Sequence, residues 1–158
     1  MARVGQGWDL HRLAAGGPLR LGGVEVPFDQ SLVGHSDGDV VLHAVADALL
    51  GAAAAGDLGV HFPSSNPALR GVDSAILLAK VAKLVGERGL RIGNVDVTIL
   101  AERPKLAPFM TAIQNRLAEL LEVEPARVSV KAKTAEGLGA IGRGEAIAAL
   151  AVALVEDA

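Results

Sequence analysis

The chain has no cysteine, so it carries no disulfide framework and no thiolate chemistry. Aromatic residues make up only 3% of its 158 positions. A core must therefore be assembled from Leu, Val, Ile and Ala. There is no basic surplus: 15 Lys and Arg stand against 18 Asp and Glu, a formal net charge of -3. That balance argues against binding to nucleic acid or an anionic membrane surface, while local anion sites stay open. The opening stretch MARVGQGWDLHRL has no signal-peptide hydrophobic region. No apolar run reaches membrane-spanning length without a charge. The expectation is a soluble cytoplasmic protein forming one compact domain over residues 1–158. Hydrophobic residues reach 51%, enough for a sizeable core. The many Ala and Gly residues suit close backbone packing or a subunit interface, which composition does not separate.

Organisation centres on Gly34 to Asp57. Ser36-Asp37-Gly38-Asp39 precedes a long apolar run, a capping-box pattern that predicts a helix starting near Asp37. Val40 to Ala55 is almost entirely Val, Leu and Ala, the pattern of a buried helix. Asp39, His43 and Asp47 share its one polar stripe, at i, i+4 and i+8. Left unpaired in a core, such groups would cost roughly 2 kcal/mol or more each. Either His43 is a metal ligand with Asp47 holding its second ring nitrogen, or it is a core histidine satisfied by a backbone carbonyl. The helix start, with His35 and Ser36 just outside, suits a phosphate or is a plain cap.

Arg3 to Arg12 reads as a strand loosened by Gly5 and Gly7. Asp9 and His11 point to the same face of it. With His43 they make three ligands, leaving a tetrahedral ion one open position. Three of the four histidines, His11, His35 and His43, fall in these two stretches, and together they favour the metal reading. Leu19 to Pro27 predicts a hairpin turning at Gly22-Gly23. The loop from Gly56 to Pro67 offers substrate contacts or a simple connection. Asp73 and Ser74 open a helix to about Arg88, with Ile76, Leu77, Ala79, Val81, Leu84 and Val85 as its apolar stripe. Arg91 to Glu102 predicts a strand, and Leu106 to Leu121 a third helix buried through Ile113, Leu117, Leu120 and Leu121. Arg127 to Lys133 alternates as a strand with Ser129, Lys131 and Lys133 on one face. Thr134 to Glu145 is a glycine-rich turn placing Glu136 near Lys131, Lys133 and Arg143. These groups suit a phosphate and its magnesium, or are a solvated loop with weak ion pairs. Ala146 to Val155 fits strand or helix equally. The sum is an α+β fold: a mixed sheet with helices on one face.

Gly7-Trp8-Asp9-Leu10-His11, His35-Ser36-Asp37-Gly38-Asp39, Leu42-His43-Ala44, Asp47 to Gly51, Gly56 to Gly59, Phe62-Pro63, Gly93 to Asp96, Pro104-Lys105 and Gly142 to Glu145 occur in one order. In these motifs the chain resembles the 2-C-methyl-D-erythritol 2,4-cyclodiphosphate synthase family over essentially its whole length. The resemblance implies a homotrimer with active sites between subunits. It implies conversion of 4-diphosphocytidyl-2-C-methyl-D-erythritol 2-phosphate to the cyclodiphosphate and CMP, in non-mevalonate isoprenoid synthesis. Carried over residue by residue, Asp9, His11 and His43 would hold Zn2+, and Glu136 would hold Mg2+ or Mn2+ against the substrate diphosphate. His35 and Ser36 would meet phosphate. Asp57, Leu58, Gly59 and the loop Phe62, Pro63, Ser64, Ser65, Asn66 would hold the methylerythritol part. Ala101, Pro104, Lys105 and Leu106, with Ala132, Lys133 and Thr134, would hold cytidine and its phosphate. Arg143 would contact the diphosphate. Leu10, Ala135 and Ala140 complete the substrate-contacting set, and His35 and Thr134 would stabilise the transition state.

The chain departs from that family at three places. Lys133 stands where Thr is common, and Ser64 and Asn66 where acids are common. Ala140 stands where Phe often lines a cavity on the trimer axis that holds isoprenoid diphosphates. Two other readings of the same residues are a zinc phosphohydrolase, with the open metal position activating water, and a non-catalytic trimeric binder of metal and nucleotide.

Overall fold

The structure, a computed structural model, describes residues 1–158. In chain order the elements are β1 (Ala2–Ala15), β2 (Leu19–Leu21), β3 (Val24–Val26), β4 (Gln30–Leu32), α1 (Val40–Ala52), α2 (Leu58–His61), α3 (Ser74–Glu87), β5 (Leu90–Leu100), α4 (Met110–Leu121), β6 (Val128–Lys133), α5 (Gly139–Gly142) and β7 (Ala146–Asp157). Five strands form a mixed sheet in the order β4-β1-β7-β5-β6. Only β5 and β6 pair in parallel. Strands β2 and β3 form the expected hairpin.

The ambiguous segment Ala146 to Val155 is the central strand, β7, hydrogen-bonded to β1 on one side and β5 on the other. Ile147, Ala149, Ala151, Ala153 and Val155 are buried on its helix side, while Ala148, Leu150, Val152 and Leu154 occupy the other. Both faces are apolar, so the sequence shows no alternation to mark a strand.

Gly5 and Gly7 do not loosen β1, which pairs with β7 without interruption from Ala2 to Arg12. They let α1 lie directly on the strand. A Cβ at Gly5 would sit 2.0 Å from the Ala48 carbonyl oxygen, and one at Gly7 2.0 Å from that of Ala44. The helix begins at Val40 rather than Asp37, because Asp39 is its cap. The fully buried Asp39 carboxylate accepts N–H bonds from Leu42 (3.1 Å), Gly22 (2.9 Å) and Gly23 (2.7 Å), tying the hairpin to the helix start. Burial pushes its pKa up to about 6 against the pull of those donors.

In α3 the stripe is shifted from expectation: Leu78 is buried, while Ile76 is half exposed and Ala79 is exposed. Helix α4 starts at Met110, after a 3-10 turn over Ala107–Phe109, and buries Ile113, Leu117 and Leu121. The apolar helix-facing side chains of β7 and of β5 at Val95, Val97 and Ile99 join one hydrophobic cluster with the helices. The opposite sheet face carries no helix and exposes Val4, Trp8, Leu10 and Val152.

Candidate active site

Strand alternation sends Asp9 and His11 to the helix side of β1, where α1 presents His43. Asp9 Oδ2 lies 2.8 Å from His11 Nε2 and 3.0 Å from His43 Nδ1, and the two ring nitrogens are 3.2 Å apart. A tetrahedral ion with bonds near 2.0–2.1 Å holds its ligand atoms roughly 3.4 Å apart, so this triangle fits one. No other group of three or more His, Asp or Glu residues is arranged to hold a metal ion. The far side of each ligand is partnered. His11 Nδ1 meets the Val33 carbonyl at 2.8 Å, and Asp9 Oδ1 accepts the Leu10 N–H at 2.9 Å. His43 Nε2 lies 2.8 Å from Ser74 Oγ and 3.0 Å from Ser36 Oγ.

Electrostatics match. Burial alone would raise the Asp9 carboxyl, but hydrogen bonds and charge from His11 and His43 together outweigh it and hold the pKa down to about 2. The His11 imidazole is pushed above its usual range, chiefly by its bond to Asp9. Asp47 is not the partner of His43: it accepts the Leu58 N–H at 2.7 Å, and burial raises its pKa. It thereby anchors the start of α2.

The cavity over the three ligands has a volume of about 210 Å3. His35, Ser36, Asp47, Leu58, Gly59, Phe62 and Ser64 line it with the ligands, as do Leu69, Val72 and Leu77. A second cavity, of about 550 Å3, is lined by Ala101, Glu102, Arg103, Pro104, Lys105, Leu106, Ala107, Ala132, Lys133, Thr134 and Phe28. Two bonds join the segments that form it, Ala101 N–H to the Lys133 carbonyl (2.9 Å) and Ala135 N–H to Glu102 Oε2 (3.1 Å). The two cavities share no lining residue. Asp9, Ala149, Ile99 and Ala132 lie in one cross-strand row, so β1 and β6 are three strand spacings apart, roughly 14 Å.

The YgbB family matches residues 2–156. The chain belongs to that family. It is 55% identical to the 2-C-methyl-D-erythritol 2,4-cyclodiphosphate synthase of Halalkalibacterium halodurans, covering 98% of this chain and 99% of that one. IspF of Plasmodium falciparum, in a CDP complex, superposes with a TM-score of 0.86 at 34% identity, covering 99% of this chain and 96% of the other. The bifunctional IspDF of Campylobacter jejuni gives a TM-score of 0.97 at 37% identity, and this chain spans 43% of its length.

Against the YgbB-family expectations, the fold sorts the site residues into groups. Asp9, His11, His43, His35, Ser36, Leu58, Gly59, Phe62 and Ser64 gather at the first cavity. Ala101, Pro104, Lys105, Leu106, Ala132, Lys133 and Thr134 gather at the second. Arg143 lines a third, with Phe28 and Arg103, which also border the second. The side chain of Leu10 lies on the open sheet face. Asp57 caps α2 through Val60 N–H, and Asn66 caps the following turn through Ala68 N–H while its carbonyl meets His35 Nε2 at 3.4 Å. Pro63, Ser65 and Ala140 are exposed outside these cavities, and Ala135 is partly buried.

Glu136 is exposed and holds a left-handed φ of 52°. It is not paired with the cations expected beside it: Lys131 bonds Asp96, and Arg143 bonds Glu145 at 2.8 Å. Ser36 is not the helix cap either. The residues gave no sign of Leu69, Val72 or the partnership of Ser74 with His43, and offered Leu77 only as part of an apolar helix stripe. Only the two-residue Asp73-Ser74 helix opening pointed to that region.

Proposed function

We propose that this chain acts as a 2-C-methyl-D-erythritol 2,4-cyclodiphosphate synthase. It converts 4-diphosphocytidyl-2-C-methyl-D-erythritol 2-phosphate to the cyclic diphosphate and CMP, in non-mevalonate isoprenoid biosynthesis. The observation that carries the reading is the Asp9–His11–His43 triangle opening onto a cavity bordered by His35 and Ser36, in a chain of this family. Family membership favours the synthase over a zinc phosphohydrolase.

In the reaction, an oxygen of the 2-phosphate bonds to the β-phosphorus as the bond from that phosphorus to the CMP oxygen breaks. The attacking oxygen is already anionic at neutral pH, so the chain need not supply a strong base. Asp9, His11 and His43 would hold zinc, and Glu136, with substrate diphosphate, magnesium or manganese. Such ions supply charge cancellation and in-line geometry for two phosphates that otherwise repel. His35 and Ser36 would grip phosphate beside the metal cavity. Thr134 would meet the charge that develops on the transferred group. Phe62 and Leu58, which line the metal cavity, would exclude water that otherwise competes with ring closure.

One chain separates His35 from Thr134 across the sheet, so the reading also calls for a homotrimer in which one subunit supplies the metal cavity and a neighbour the nucleotide cavity. The helix-free face with Val4, Trp8, Leu10 and Val152 is the surface that assembly would cover. In this reading residues 1–158 form a single synthase domain that acts in the cytoplasm. No helix is long and apolar enough to cross a membrane.

Two measurements test this. Phosphorus NMR of the reaction should show CMP appearing together with a cyclic diphosphate; CMP with a linear product would indicate the phosphohydrolase. His43→Ala and Thr134→Ala subunits should each be inactive. Mixed at random in one assembly, they should recover about a quarter of wild-type sites, because a shared site needs the intact half from each. No recovery in demonstrated mixed assemblies would place the whole site in one chain.

A further inference from the structure

We infer that Asp37 and Ser74 are positioning residues that set the tautomer of His43 and so aim its Nδ1 lone pair into the metal site. This rests on the metal reading of Asp9, His11 and His43 and deepens it. Three donors converge on the Asp37 carboxyl: the Ser74 hydroxyl, the Ser74 N–H at 3.0 Å and the Asp39 N–H at 3.1 Å. Asp37 is therefore the acceptor, and the single hydroxyl hydrogen of Ser74 is committed to it. Toward His43, 2.8 Å away, Ser74 Oγ has only lone pairs left, so this short contact is a hydrogen bond only when His43 Nε2 carries the hydrogen; Ser36 Oγ, 3.0 Å from Nε2 and 3.2 Å from Ser74 Oγ, fits that arrangement by turning its own hydroxyl hydrogen to the second lone pair of Ser74. That leaves Nδ1 bare, facing Asp9 and His11.

Ser74 is 1% exposed, so solvent does not compete at the hydroxyl that joins partly buried Asp37 and His43. His11 reaches the same end by the opposite tautomer: its Nδ1–H goes to the Val33 carbonyl, leaving Nε2 bare. The difference matters because a backbone carbonyl cannot be mutated away, whereas the His43 relay consists of two side chains. Ser74 is the first residue of α3, so the relay also pins α3 to the loop that carries His35 and Ser36.

The test uses full-length protein stripped of metal. Asp37→Asn keeps the shape but puts an NH2 group among the three donors, and Ser74→Ala removes the relay atom. At alkaline pH, nitrogen–proton NMR should find wild-type His43 carrying its hydrogen on Nε2 and His11 on Nδ1. In both variants His43 should lose its exclusive Nε2–H form while His11 keeps its own. Zinc affinity, measured by chelator competition, should fall about 10–100-fold. Unchanged His43 tautomer with zinc affinity within about twofold of wild type in a folded variant overturns the inference. If Ser74→Ala does not fold, Asp37→Asn decides alone. Failure of the metal reading is separable: zinc binding that His43→Ala leaves intact removes the metal site, whatever the tautomers show.

Discussion

The two main cavities are built by opposite means. At the metal triangle, partly buried polar atoms are partnered on their far side, and the partners come from β1, the 33–39 loop and α3. At the larger cavity the lining is mostly exposed, drawn from the ends of β5 and β6, and held by two backbone-donor bonds. A cluster of ionisable groups placed partly out of water must be satisfied or it destabilises the fold. A surface that receives a nucleotide can stay open until ligand or a neighbouring subunit covers it. One region is thus finished when the chain folds, and the other depends on what arrives.

The sharpest way to break this contrast is His43→Ala. It should abolish metal binding at the triangle and lower turnover on the order of a thousandfold or more, since metal supplies several kcal/mol of charge stabilisation. CDP binding at the second cavity should survive, as calorimetry would show. Loss of both together would mean that the halves are not independent.

Next comes Gly7→Ala. Its Cβ would meet the Ala44 carbonyl oxygen at 2.0 Å, backbone against backbone, so α1 must lift from β1. A stability loss of about 3 kcal/mol, at the upper end for overpacking, is expected in chemical denaturation. Metal content should fall with it, because His43 rides on α1. A variant as stable as wild type would show that α1 does not need that seat.

Asp39 gives a pH signature to the finished region. Its folded pKa of about 6 lies above the ordinary 3.8, so the native state binds the extra proton. Its contribution is fully present below 3.8 and is lost as pH rises through about 6, which makes ionisation cost about 3 kcal/mol at neutral pH. Unfolding of metal-free protein followed between those values should show this downward slope, superposed on the smooth behaviour of exposed carboxylates. Asp37, the nearest like charge, adds to it. A flat profile would mean that the three N–H donors fully offset burial.

The smallest effect belongs to the open region. Lys133→Thr should raise KM for substrate several-fold, an effect of about 1 kcal/mol that added salt diminishes. Metal content and the apparent stability should stay as in wild type. A matching loss of metal would tie Lys133 to the triangle instead.

Some of this was legible in the residues themselves. Asp9 and His11 share a face because strand side chains alternate, and His43 stands out on a helix otherwise made of Val, Leu and Ala. The hairpin, the three long helices and most strands followed from local pattern in the same way, whereas the one-turn helices α2 and α5 and the short strand β4 did not. The strand β7 did not, because an apolar run buried on one face and apolar on the other has no period to read. Nor did the roles of Gly5 and Gly7, which depend on a helix arriving 40 residues later.

By itself, then, the sequence determined which side chains could bind a metal and which elements carry them. Those depend on spacing within one strand or one helix. Only the tertiary structure decided that Asp39 caps α1 while holding a distant hairpin, that Asp47 serves Leu58 rather than His43, and that Ser74 takes His43 instead. Each of these depends on a hydrogen bond that reaches from one element to another. Which acceptor a donor finds there is settled by how sheet and helices pack, and no local pattern encodes it.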